Sequence, residues 1–250
     1  MASVSPMKDQ KSVKQPGVFL TAEWRNLLMF NYAVDPGVLQ RFVPRGTELD
    51  AFEGRTYVSL VGFEFNHTRV AGVTIPFHRS FEEVNLRFYV RRLGKRGVVF
   101  IRELVPKRAV AAVARIAFGE NYSRVPMSHS IVAHPDSGIV EAEYTWGSGP
   151  GRCSMRLEAE KPSFVPSADS LSQFITEHYW GYATQSNGGC LEYEVQHPRW
   201  LVRTAKAARF SGDAAPFYGS EFGELLALPP DSAFLAEGSP ITVFKGTRVQ

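Results

Sequence analysis

The chain has 250 residues, of which 44% are hydrophobic and 21% charged, and such values exclude wholesale disorder. Its 28 basic and 25 acidic residues leave a net charge of +3, which is too small and too evenly spread for a nucleic-acid surface. The two cysteines, Cys153 and Cys190, lie far apart in the sequence. Their spacing favours neither a disulfide framework nor a zinc site.

The N-terminal segment differs in composition from the rest of the chain. Residues 1–17 contain little that could be buried, so we expect a flexible tail before a single domain at 18–250. No run of about eighteen apolar residues is present, and the first residues lack the apolar region of a signal peptide. We therefore expect a cytoplasmic protein that binds no membrane and no nucleic acid. Whether it forms a homo-oligomer is left open.

Hydrophobic patterns in chain order predict mainly strands. The predicted strands are 21–34, 49–52, 56–66, 81–91, 98–105, 127–133, 139–146, 152–160, 190–196, 201–207 and 241–245, with short helices at 37–42, 106–117, 171–179 and 217–228. The predominance of antiparallel strands over scattered helices favours a mainly β (α+β) fold. We expect a closed or partly closed antiparallel β-barrel whose ends are plugged by short helices.

The strand at 81–91 carries an unusual polar face. Its residues alternate, and one face is apolar while the other presents Glu83, Asn85, Arg87 and Tyr89. Successive side chains on one face of a strand are about 7 Å apart. This face is either solvated, as is common for antiparallel strands, or it is the wall of a polar pocket.

The following strand adds two adjacent charged residues, Arg102 and Glu103. Neighbouring side chains in a strand point to opposite faces, so we expect one of the two to face the barrel interior. A buried charge needs a partner, and the polar face with Glu83 and Arg87 is the nearest one in sequence. These residues form either a candidate site with shifted pKa values or a structural ion-pair network.

Motifs of common enzyme classes are absent. The sequence contains no GxSxG, Walker or HExxH motif, and its six histidines do not follow metal-ligand spacing. We therefore expect neither a metal nor a cofactor. Two histidines, His178 beside Tyr179 and His197 before Pro198, are each either a structural histidine at the barrel rim or a ligand contact.

Four segments, at 27–36, 43–50, 57–61 and 83–90, closely resemble an uncharacterised bacterial family, the YqjF-like proteins (domain of unknown function 2071). That family is similar in turn to acetoacetate decarboxylase. The resemblance spans most of residues 20–245. It implies an acetoacetate decarboxylase-like fold, a cone-shaped and partly closed antiparallel β-barrel with a central pocket. In the decarboxylase, a lysine forms a Schiff base with the keto acid.

The resemblance also implies positions for site residues. The site arginine of the decarboxylase falls on Arg25, and its pocket glutamate falls on Glu83. A second acidic residue of that site falls near Leu60, so we expect it to be lost. The Schiff-base lysine falls on Tyr122. A phenol cannot form an imine, so we expect the pocket to persist and the imine chemistry to be absent.

These observations support a small-molecule pocket protein that binds or transforms a small carboxylate or carbonyl compound without a Schiff base. Its expected site comprises Glu83 and Tyr122 as catalytic candidates, and Arg25, Asn85, Arg87, Arg102, Glu103 and His197 as ligand-binding residues. An enzyme of this kind would be lyase-like or hydrolytic. The alternatives are a protein–protein interaction module that uses the loop at 67–80, and a divergent decarboxylase or lyase. Burial of Glu83 and Arg87 discriminates between a pocket and a solvated face.

Overall fold

The computed structural model describes residues 16–75, 79–107, 119 and 121–249. Nearly all of the expected N-terminal tail and most of the helix expected at 106–117 lie outside the described residues. The same holds for 76–78 in the loop at 67–80.

Strands dominate the described part of the chain. They are β1 Val18–Val34, β2 Glu48–Leu49, β3 Thr56–Val70, β4 Phe81–Arg92, β5 Lys95–Val105, β6 Tyr122–Arg124, β7 Met127–His134, β8 Ile139–Trp146, β9 Cys153–Glu160, β10 Trp180–Thr184, β11 Cys190–Gln196, β12 Val202–Ser211, β13 Ser232–Phe244 and β14 Thr247–Val249. The helices are α1 Pro36–Leu39, α2 Leu171–Thr176, α3 Ala215–Tyr218 and α4 Ser220–Leu226. The mainly β fold is confirmed. No helix in the described ranges is long and apolar enough to span a bilayer.

Seven strands form a ring. β11, β10, β5, β4, β3, β1 and β13 are hydrogen-bonded in that order, and β11 also pairs with β13. The closing pairings are short: Val195 with Val243 and Gln196 with Thr242 between β11 and β13, and two residue pairs between β10 and β5. The long pairings lie on the opposite side, between β13, β1, β3, β4 and β5. The barrel is therefore partly closed.

A second layer covers one side of the barrel. Beyond β13 the sheet continues through β12, β9, β8 and β7. Outward-facing barrel side chains and side chains of this layer share one apolar cluster that includes Leu28, Leu60, Leu86, Tyr144, Met155 and Leu157. A separate apolar cluster lines the barrel interior. β1, β3 and β4 are consequently buried on both faces, which explains the two apolar faces of β1.

A bulge in β1 changes which side chains face the interior. Strict alternation places Arg25 on the same face as Leu27. In the structure, the register with β3 shifts between Arg25 and Leu28, and Asn26 adopts a left-handed φ of 53°. Trp24 and Leu27 both line the interior, and Arg25 lies on the other face. The placement of Arg25 in the pocket is therefore wrong.

Some elements differ from their predicted form. The strand at 49–52, which we expected to form a hairpin with the next strand, is reduced to β2, and β2 pairs with β4. β10 and β14 were not predicted, since each is short and lacks clear alternation. β13 is much longer than the strand predicted at 241–245. The prediction was too short because Gly238, with a φ of 78°, and Pro240 interrupt the hydrophobic alternation. The helix predicted at 217–228 is divided at Gly219, which has a φ of 92°.

We expect Gly62→Ala to destabilise the fold by loosening the contact between the barrel and the second layer. A Cβ at Gly62 would lie 2.9 Å from ring carbons of Tyr144 and 3.0 Å from Sδ of Met155. Overpacking of this kind costs about 1–3 kcal/mol. Urea denaturation measures the change in free energy of unfolding. Gly151→Ala is the matched control because nothing lies within 4 Å of its Cβ position, and equal effects of the two substitutions would contradict the packing.

Candidate ligand-binding site

The barrel interior contains a cavity of about 120 Å³. Its walls come from β1, β3, β4, β5, β6, β10, β11 and β13, with added side chains from the segments that follow α2 and β11. Most lining side chains are apolar, and aromatic rings form much of the surface: Phe19, Trp24, Phe63, Phe65, Phe81, Phe100, Trp180, Tyr193 and Trp200. The rings contact one another, with Phe65 stacked on Phe81 at 4.7 Å between centroids. The walls are therefore largely dry and rigid.

One wall of the cavity is polar. Strand alternation turns Glu83, Asn85 and Arg87 of β4 inward. Antiparallel pairing places Glu103 of β5 opposite Asn85, and parallel pairing places Tyr122 of β6 beside Glu103. Five polar side chains from three adjacent strands thus share one wall.

This polar face is buried. The exposed fraction is 2% for Glu83, 1% for Asn85, 7% for Arg87 and 1% for Glu103. A solvated strand face would show much larger fractions. The inward alternative for β4 is correct, and Glu103 is the member of the Arg102–Glu103 pair that faces the interior.

Two neighbours orient the carboxylate of Glu83. The amide Nδ2 of Asn85 donates a hydrogen bond to Oε1 at 2.8 Å. The hydroxyl of Tyr122 donates to Oε2 at 3.3 Å. Both carboxylate oxygens are therefore held in place, and a phenol and a carboxyl group lie in direct contact inside the cavity.

Arg87 carries a buried positive charge. Its Nη2 donates to the backbone carbonyl of Ile175 at 3.4 Å, and its guanidinium lies 5.9 Å from the ring centre of Tyr89. Nε has no hydrogen-bond partner among the described residues. Within that part of the chain, no carboxylate forms an ion pair with Arg87. Burying a guanidinium in this way is costly unless an anion compensates it.

Helix α2 and the residues after it close the barrel end beside Arg87. Phe174 of α2 packs edge-on against Tyr89 at 5.3 Å, and His178 stacks on Tyr89 at 4.5 Å between ring centres. The helix starts at Ser170, whose hydroxyl accepts a hydrogen bond from the backbone N–H of Gln173 at 3.2 Å. The capped helix therefore positions aromatic rings over the base of the cavity.

His178 is held as a neutral imidazole. Nη2 of Arg96 lies 3.3 Å from Nε2 of His178, and Nε of Arg96 donates to Asp50 at 2.7 Å. A guanidinium can only donate, so Nε2 of His178 must accept. Burial first, then the charges of Arg96 and Arg87, lower the pKa of His178 well below its usual value. His178 adds no positive charge at neutral pH. Arg96 is paired with Asp50, whereas Arg87 has no ion pair within the described residues.

The remaining predicted residues divide into two groups. His197 lines the cavity, where its ring stacks on Trp200 at 4.3 Å and its ring nitrogens lie near backbone carbonyls. Arg25 and Arg102 are not among the lining residues. Nη2 of Arg25 forms an ion pair with Glu23 at 2.9 Å, and Arg102 lies on the face of β5 opposite to Glu103. The placement of Arg102 in the pocket is therefore wrong as well.

Sequence reasoning did not consider Thr176 and left His178 either structural or a ligand contact, although both line the cavity. They come from α2 and its C-terminal end, about ninety residues after β4 in the chain. No local pattern links a short helix to a particular barrel end. Across the described ranges, no three His, Cys, Asp or Glu side chains are grouped as a metal site.

Comparison with known proteins places this barrel in a family. The family model DUF2071, described as an uncharacterized conserved protein, matches residues 21–240. The uncharacterized protein YqjF of Bacillus subtilis strain 168 is 29% identical over 206 residues, which cover 79% of this chain and 81% of that protein. The resemblance drawn from the sequence is confirmed.

Solved structures with the same fold include two named enzymes. The enduracididine biosynthesis enzyme MppR complexed with pyruvate has a TM-score of 0.68 at 15% identity, over 96% of this chain and 93% of that chain. Acetoacetate decarboxylase from Legionella pneumophila has a TM-score of 0.68 at 12% identity, over 100% and 98%. At these identities the likeness shows the fold alone. The chain therefore has an acetoacetate decarboxylase-like fold and belongs to the DUF2071 family.

Proposed function

We propose that this protein binds a small carboxylate or carbonyl compound inside the barrel and acts on it without a Schiff base. The observation that carries the proposal is the buried guanidinium of Arg87, which lines the cavity and forms no ion pair within the described residues. A bound carboxylate would compensate this charge. Charge-assisted hydrogen bonds from arginine to a carboxylate are about twice as strong as neutral ones.

The apolar walls support a ligand with a hydrocarbon part. Aromatic rings surround the polar wall and exclude water, which strengthens electrostatic contacts inside the cavity. A cavity of roughly 150 Å³ in another protein accommodates benzene. A cavity of about 120 Å³ therefore suits a compound with a short carbon chain, and its carboxylate would lie at the end closed by α2.

The Glu83–Tyr122 pair would supply proton transfer. Tyr122 donates a hydrogen bond to Glu83 at 3.3 Å, and both side chains line the cavity. A carboxyl group and a phenol in contact can move a proton to or from a ligand carbonyl or its α-carbon. Arg87, four residues from Glu83 on the same strand, would hold the ligand while the proton moves.

The lysines of the chain support chemistry without an imine. None of the described residues that line the cavity is a lysine. Among the positions that the structure does not describe, the sequence has lysines only at Lys8, Lys11 and Lys14. Tyr122 lies at the position that the family resemblance gives to the Schiff-base lysine.

The structural relatives agree with a small carboxylate as ligand. The MppR structure contains pyruvate, a small keto acid, in that protein. The alternative, a protein–protein interaction module that uses the loop at 67–80, takes the polar face of β4 to be solvated. The burial of Glu83 and Arg87 supports a pocket instead.

Arg87→Leu should weaken carboxylate binding by about tenfold or more, because the ligand loses a charge-assisted hydrogen bond in a dry site. Isothermal titration calorimetry and thermal shift with butanoate, pyruvate and acetoacetate would measure the loss. The unliganded variant should fold, since replacing a buried, uncompensated charge by an apolar side chain is often neutral or stabilising.

The matched control for this substitution is Arg102→Leu. Arg102 lies on β5 next to the site but on its other face, so its replacement should leave the binding of all three acids unchanged. Equal affinities for wild type and Arg87→Leu would remove Arg87 from the site. Binding by none of the acids to the wild type would contradict the proposed function.

Borohydride treatment in the presence of pyruvate or acetoacetate should leave the mass of the protein unchanged, because none of the described residues that line the cavity is a lysine. Mass spectrometry of the intact protein and of its peptides would measure this, with an acetoacetate decarboxylase treated in parallel as the positive control. A reduced adduct on a lysine that depends on Arg87 would contradict chemistry without an imine.

A further inference from the structure

The side chain of Asn85 has a defined orientation. Its amide Nδ2 lies 2.8 Å from Oε1 of Glu83. Because the NH₂ group donates to this carboxyl oxygen, the carbonyl Oδ1 of Asn85 faces away from Glu83. The hydrogen bond thus determines which end of the amide a ligand meets.

Oδ1 of Asn85 is an unused acceptor. The residue is 1% exposed and lines the cavity, and Oδ1 has no hydrogen-bond partner among the described residues. A buried carbonyl without a donor destabilises the folded protein. The cavity therefore presents a site for a hydrogen-bond donor.

An unused donor lies two residues further along the same face of β4. Nε of Arg87 is also buried and has no partner within the described part of the chain. Positions i and i+2 of a strand are about 7 Å apart, within the reach of one small molecule. The two atoms have opposite requirements, because Arg87 needs an acceptor and Asn85 needs a donor.

We infer that the ligand is a short-chain carboxylate that carries a second group with a hydrogen-bond donor, a hydroxyl or an ammonium, and that Oδ1 of Asn85 accepts from it. This inference rests on the proposed function, since it assigns the carboxylate to Arg87. A cavity of about 120 Å³ limits the chain to a few carbons. A hydroxy or amino acid satisfies both atoms, whereas a simple fatty acid satisfies only Arg87.

Matched pairs of acids test the inference. Calorimetric titrations of wild type would compare 3-hydroxybutanoate and 3-aminobutanoate with butanoate, and lactate and alanine with propanoate. In at least one pair, the compound with the donor should bind about tenfold more tightly than the acid without it, because the acid without a donor leaves Oδ1 of Asn85 unsatisfied. Comparison of the hydroxy acids with the amino acids shows whether the preferred donor is a hydroxyl or an ammonium group.

Two variants assign the preference to Asn85. Asn85→Leu should bring the affinities within each pair together. Asn85→Asp keeps an acceptor oxygen at the same position and should retain a preference for the donor. Urea denaturation of each variant checks that it is folded.

The outcomes separate this inference from the function on which it rests. If no compound with a donor in either series binds wild type more tightly than its matched acid, the inference is overturned while binding through Arg87 stands. A preference that survives in Asn85→Leu also overturns it. If no acid of either series binds, the proposed function fails together with the inference.

Discussion

The buried guanidinium of Arg87 is the constraint on which the organisation of this site depends. It lies at the closed end of a barrel with aromatic walls, where solvent cannot compensate its charge. Among the described residues no carboxylate forms an ion pair with Arg87, His178 is held neutral, and the carbonyl of Ile175 accepts a hydrogen bond from only one nitrogen of the guanidinium. The proposed carboxylate ligand would compensate this charge.

The rest of the fold keeps this charge in place. β4 lies between two cores: its apolar face packs against the second layer, and its polar face lines the cavity. The hairpin with β5 and the parallel pairing with β6 bring Glu103 and Tyr122 to the same wall. α2 then covers the barrel end with Phe174 and the nearby His178. Burial of polar groups on this wall destabilises the fold, and apolar burial elsewhere offsets that cost.

Much of this wall could be predicted from the sequence, because strict alternation in β4 and a short hairpin determine which side chains share a face. Glu83, Asn85 and Arg87 were predicted on that basis. Arg25 could not be placed correctly, since the bulge at Asn26 reverses the alternation and no residue pattern announces it. His178 could not be assigned either, because its position depends on tertiary packing of α2.

The measurement that tests the central claim most directly is a crystal structure of the protein soaked with a short-chain carboxylate such as 3-hydroxybutanoate. The account predicts density inside the barrel, with the carboxylate oxygens within about 3 Å of the guanidinium of Arg87 and the carbon chain against the aromatic wall. A ligand bound outside the barrel, or one whose carboxylate points away from Arg87, would contradict it.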